Sequence, residues 1–222
     1  MSHQRRISDN EGFKFIGKIN ASMSHEIKNV LAIINEKAGL LEDFLLMADK
    51  GMPVDPERFK ALSGKIQTQV KRANQIVINM NTFAHSVDET CKTVDIGQAF
   101  DFVAALSARM VGNRGVSLEI LKDAGPVTII TNPFFLNNMI WLCIDFAMDW
   151  TGDEKTIAVS YRTNLGGAEI KLSKLGSLGN MPVDGFPNKR EETILEALDG
   201  EITICRETGE LSLVLPETIT KG

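Results

Sequence analysis

Apolar residues recur at spacings of mostly three and four along the first part of the chain. Ile16, Met23, Ile27, Val30, Ile34, Leu41 and Leu45 form one series; Phe59, Leu62, Ile66, Val70, Ala73, Val77, Met80 and Phe83 form a second. Each is a heptad-like seam and predicts a long amphipathic helix. Between them lies Lys50-Gly51-Met52-Pro53, where Gly51 can end a helix and Pro53 cannot continue one. Asp55-Pro56-Glu57 then supplies an N-cap, a first-position proline and a first-turn acid. The expectation is an antiparallel hairpin of two helices, each about 45 Å long at roughly 1.5 Å per residue. A lone hairpin buries little surface, whereas two hairpins meeting as a four-helix bundle bury both seams, so a homodimer is expected. The methionines, with Phe13, Phe15, Phe44 and Phe83, read as seam residues rather than a ligand box.

The texture changes after residues 88–95, where periodicity lapses. Helical spacing returns at 97–112, 133–150 and 189–198. Strand-like runs occupy 117–121, 127–131, 156–161, 168–173, 201–205 and 211–215. Glu207-Thr208-Gly209-Glu210 reads as a hairpin turn. Gly166-Gly167 reads as another turn rather than a phosphate cradle, since the Lys-Ser/Thr pair of a P-loop does not follow. The fold class is therefore α+β: a helical domain over 12–90, then an α/β sandwich over 95–220 with a helix layer on one sheet that ends antiparallel.

Composition narrows the classes. The 222 residues are 43% hydrophobic and 24% charged, the balance of a soluble globular chain. No apolar run is long enough to span a bilayer and the N-terminus lacks a signal-peptide core, so the expectation is a cytoplasmic protein with no membrane contact. A net charge of -5 argues weakly against nucleic acid. Cys91, Cys143 and Cys205 are far apart and form no metal-ligand pattern, which suits a reducing compartment. Cys143, in an apolar run, reads as a small buried hydrophobe.

The stretch richest in chemistry is Ser24-His25-Glu26-Ile27-Lys28-Asn29. On a helix whose seam includes Met23 and Ile27, His25 lies about 200° from each and faces solvent, with Asn29 one turn on along the same face. A neutral imidazole keeps one lone pair free, an adjacent carboxylate can hold the other ring proton, and an amide one turn later can bind a phosphoryl oxygen or a water. The bland alternative is an exposed helical histidine among routine polar residues. His85, near the end of the second helix, reads as structural, His3 as part of a disordered tail, and Lys71-Arg72 as a solvated face unless an acidic partner docks there.

Residues 15–31, FIGKINASMSHEIKNVL, resemble the H-box of the sensor histidine kinase family, in the subgroup with His-Glu-x-x-Asn followed by Pro. The whole hairpin is similar to that family's dimerisation and histidine phosphotransfer domain. The resemblance implies His25 as phosphoacceptor, Glu26 as assisting acid or base, and Asn29 at the position that orients water for dephosphorylating a response regulator. Val30 stands where the family usually has proline, which puts a helix bend in doubt but not the chemistry.

The second region resembles the family's ATP-binding domain with its motifs eroded. Asn132-Pro133-Phe134-Phe135-Leu136 resembles the start of the nucleotide-binding helix, and the run from Ala197 to Ile204, with Gly209 and the segment 211–216, resembles the closing helix and hairpin. Counting onward, the magnesium-binding Asn-Ala pair falls on Phe146-Ala147, and phenylalanine offers a hard cation no oxygen. The adenine-binding Asp-x-Gly-x-Gly motif falls on Lys174-Leu175-Gly176-Ser177-Leu178, a donor where an acceptor is needed. The glycine-rich lid has no counterpart in 180–188. Asp145 and Asp149 could hold a metal but read as surface or cap residues. Asn137 and Asn138 lie too early to substitute. Trp141 and Trp150 fall on opposite faces of one helix, one for the core and the other for an interface or the vacant pocket.

The resemblance thus implies a histidine phosphotransferase without ATP-dependent autokinase activity, passing phosphate between response-regulator receiver domains on His25. No cofactor is expected, ATP and Mg²⁺ binding being lost and Mg²⁺ coming from the receiver. Ser24 and Lys28 would meet the partner; Phe146, Lys174 and Gly176 mark the degenerate nucleotide site. A sensor kinase is a further partner to consider. The competing readings are a response-regulator phosphatase using Glu26 and Asn29, and a non-catalytic dimeric scaffold or kinase inhibitor.

Overall fold

A computed structural model describes residues 3–121, 125–181 and 185–220, with side chains in the first helix from Lys14 onward. The chain divides into two compact units: Asn20–Thr82, and Met1–Ile19 together with Phe83–Gly222. Residues 12–19 and 83–90, assigned to the helical domain by periodicity, thus group with the α/β part.

The first unit is a helical hairpin. Helix α1 spans His3–Asp49 and α2 spans Pro56–His85. Asp55 caps α2 by accepting from the Glu57 amide at 2.9 Å, and Gly51 takes the left-handed φ of +75° at the end of α1. Glu26 meets Arg72 and Phe44 meets Phe59, so the helices run antiparallel. One expectation needs correction. Helix α1 starts at His3 rather than near residue 12, and so includes the stretch read as a disordered tail; Gln4, Arg5, Arg6 and Glu11 are good helix formers. It is also helical throughout at Val30, which is fully buried. The Phe13 side chain lies outside the described residues.

Among its described residues the second unit holds two sheets rather than one. Strand β1 (Lys92–Asp95) pairs antiparallel with β3 (Thr128–Thr131). It falls in the stretch that looked unpatterned, because four residues cannot display a period. The larger sheet has the order β2-β4-β5-β7-β6, from β2 (Ser117–Ile120), β4 (Thr156–Asn164), β5 (Gly167–Ser173), β6 (Glu201–Cys205) and β7 (Glu210–Leu215). The β2–β4 pairing is parallel and the other three antiparallel. In β7, Leu211, Leu213 and Leu215 are buried while Ser212 and Val214 are partly exposed, the two-residue period of a one-sided core. A side chain at Gly167 would place its Cβ 2.0 Å from the Leu215 carbonyl oxygen, so glycine is required where β5 leaves the turn.

Among the described residues, three α-helices, α3 (Ile96–Asn113), α4 (Pro133–Asp149) and α5 (Lys189–Leu198), and a short 3-10 helix, Leu178–Asn180, complete the unit. Asp95, Asn132 and Asn188 cap the α-helices, the last within a reciprocal capping box with Glu191. Helix α4 is nearly all buried, with Trp141, Leu136, Met139, Ile140 and Ile144 in the core. Phe15 of α1, Phe83 of α2 and Phe134 of α4 form an aromatic cluster, with Phe15 edge-on to Phe83 at 5.2 Å.

Candidate functional site

Helix α1 sets the first candidate site by its turn angle. Met23 and Val30 are buried, while Ser24, His25, Lys28 and Asn29 are exposed. His25 therefore projects into solvent with Asn29 one turn on, as the spacing predicts. Glu26 differs from these four. Its side chain is about one-fifth exposed, and its carboxylate accepts a hydrogen bond from Arg72 Nη2 of α2 at 2.7 Å. Lys71 and Arg72 are both exposed, the solvated face that the sequence predicts, and the Arg72 guanidinium also spans the hairpin to the residue beside His25. Nothing in either helix's own periodicity reveals a partner 46 residues away. Only the register of the closed hairpin does.

The seams are only partly satisfied within one chain. Of the seam residues, Met23, Val30, Leu62 and Phe83 are buried, but Leu45, Val70, Val77 and Met80 remain exposed; outside the seams, Leu31 and Ile78 are exposed too.

Of the three residues that the resemblance assigns to a degenerate nucleotide site, Phe146 and Gly176 fall at the C-terminal end of α4. Phe146 stacks on Phe186, centroids 4.3 Å apart and planes at 17°, and lies 6.2 Å from the Trp150 ring. The Ser177 amide donates to the Trp150 carbonyl and its hydroxyl to the Thr151 carbonyl. Gly176 passes close to Gly152: a Cβ on Gly176 would stand 3.4 Å from the Gly152 Cα. Phe146 and Gly176, 30 positions apart in sequence, are thus brought to the same end of α4. Lys174 is drawn elsewhere, donating to Glu119 of β2 at 2.8 Å; that hydrogen bond and charge hold its ammonium above the usual lysine range. Asp145 and Asp149 both pair with Arg114, and Asp145 also with Lys18 at 3.5 Å. Among the described residues no group of three His, Cys, Asp or Glu side chains is placed to hold a metal ion. Of the 180–188 segment, residues 182–184 lie outside the described residues, and Phe186 is the side chain whose part the sequence did not disclose.

The remaining residues are accounted for structurally. Asn137 and Asn138 are buried in α4. His85 Nδ1 sits 2.8 Å from Asp88 at the end of α2. Trp141 is in the core and Trp150 is half-buried beside Phe146. Burial, reinforced by the charge of Glu191, pushes the Cys143 thiol well above the usual range.

No family model matches the chain, and no curated protein matches it. Among solved structures it is similar to the histidine kinase AdeS of Acinetobacter baumannii, with 14% identity over 82% of this chain and 95% of that one, at a TM-score of 0.49. The ATP-binding domain of PrrB from Mycobacterium tuberculosis gives 18% identity over 58% of this chain and 98% of that one, at 0.47. The histidine kinase ThkA in complex with the response regulator protein TrrA gives 16% identity over 97% and 65%, at 0.44.

Proposed function

We propose that this chain is a histidine phosphotransferase of a two-component phosphorelay, carrying phosphate on His25 between receiver domains and making none of it from ATP. The observation that carries the reading is the exposure of His25 on α1, with Glu26 beside it and exposed Asn29 one turn on. In the transfer, a ring nitrogen of His25 attacks the phosphorus of a receiver's aspartyl phosphate in line. The P–N bond forms as the P–O bond breaks, and the aspartate leaves as a carboxylate. The imidazole becomes positively charged, and the Glu26 carboxylate can offset that charge or take the remaining ring proton. The Mg²⁺ that neutralises the phosphoryl group belongs to the receiver. Ser24 and Lys28 flank His25 on the exposed face and would meet the receiver there.

The remodelled end of α4 supports the second half of the reading. Aromatic rings and an ion-paired ammonium stand where the resemblance places a magnesium amide and an adenine acceptor. The exposed seam residues support a homodimer, since a second hairpin would cover Leu45, Val70, Val77 and Met80.

The test uses a receiver domain labelled on its aspartate. Label moving to this chain, and lost in His25→Ala, supports the relay. Free phosphate released at a rate sensitive to Asn29→Ala supports a phosphatase instead. Receiver binding with neither outcome supports the scaffold.

A further inference from the structure

The Glu26–Arg72 pair points to a role for α2 in chemistry otherwise confined to α1. We propose that Arg72 is a positioning residue for phosphoryl transfer at His25, acting by fixing the Glu26 carboxylate. The inference rests on the phosphotransfer reading.

An unrestrained glutamate on a helix surface samples several rotamers, most of them useless to a neighbouring imidazole. Here the Glu26 side chain is about one-fifth exposed although the two residues before it, Ser24 and His25, are exposed. A 2.7 Å charge-assisted contact from the other helix holds it. Arg72 reaches Glu26 through one nitrogen, Nη2, to one oxygen, Oε1. The second carboxylate oxygen is not engaged by that contact, and the proposal assigns it to the proton that His25 must shed or share. Fixing a proton acceptor before the reaction lowers the ordering cost at the moment of transfer. As a surface ion pair the contact contributes little to stability, so its worth is positional.

The single-point contact sets the expected pattern of variants. An ammonium can replace one N–H donor, so Arg72→Lys retains most of the function, while Arg72→Ala does not. With phosphorylated receiver as donor, Arg72→Ala lowers kcat for transfer to His25 by roughly three- to tenfold, the scale of one partly exposed ion pair, and leaves KM for the receiver unchanged. Because Arg72 acts through Glu26, the same change made in a Glu26→Ala background has no further effect. A rise in KM with kcat intact would mean that Arg72 contacts the receiver, and would overturn the proposal. So would a full Arg72→Ala penalty persisting in the Glu26→Ala background, or wild-type kcat in Arg72→Ala. Unchanged thermal melting of the variants keeps these outcomes clear of misfolding. If wild type accepts no phosphate on His25, the phosphotransfer reading itself fails; if it does and the cycle is additive, only the role of Arg72 fails.

Discussion

The Phe146 ring lies flat against the Phe186 ring, 4.3 Å between centroids. One comes from α4 and the other from the segment just before α5, where the sequence resemblance would put a magnesium ligand and a lid. Two phenyl rings in contact give a nucleotide phosphate neither a cation nor a donor.

A first expected outcome follows for nucleotide. Calorimetry with Mg-ATP should give no binding heat for the wild-type chain. Phe146→Asn alone should not restore it, because Phe186 and Trp150 remain and Lys174 still faces Glu119. Saturable binding by wild type in the micromolar range would refute the degenerate-site reading.

The exposed seam makes a prediction about assembly. Val70 and Val77 are each 43% exposed and belong to a series that should be buried in a bundle. Val70→Glu with Val77→Glu should convert a dimer to a monomer in sedimentation at micromolar concentration, since charges in an apolar bundle seam are costly. A wild-type chain already monomeric there would contradict it.

How legible this was depended on the range of the interaction. The two long helices, their break at Gly51 and the six strand runs were visible because each repeats a period or carries its own turn chemistry. The solvent-facing position of His25 needed only the turn angle. Strand β1 was invisible because it is short and is defined by its partner β3. Arg72 and Phe186 were invisible for the same reason at the level of side chains: their roles depend on Glu26 and Phe146, distant in sequence. The start of α1 was missed because its first residues carry no apolar period to announce it.

On the α/β sheet, Arg162 of β4 stands across from Glu169 of β5, and the two side chains meet at 2.6 Å. Burial works to raise the Glu169 carboxyl, but the Arg162 hydrogen bond and charge, with Ser212 and Lys171, outweigh it and hold it below the usual glutamate range. Such a group stabilises the fold above its unfolded-state value, and that contribution is lost as pH falls through the lower folded value. Melting curves for wild type and Arg162→Ala should therefore differ at pH 7 and converge in acid. Curves that separate further in acid would contradict the assignment.

The thiols should separate by environment. Cys91 and Cys205 are exposed and Cys143 is buried. Hydrogen bonds from Thr208 hold the Cys205 thiol below its ordinary value, so it should alkylate readily at neutral pH. Cys143 should react only on unfolding, and mass mapping after a timed iodoacetamide pulse checks both.

The most direct test maps the phosphate itself. After incubation with a phosphorylated receiver and no ATP, the chain should be digested at alkaline pH, which preserves phosphohistidine, and its peptides weighed. The expected result is one added phosphate on the peptide bearing His25, missing in His25→Ala. Phosphate on another residue, or an unmodified His25 peptide while the receiver loses its label, would contradict the relay.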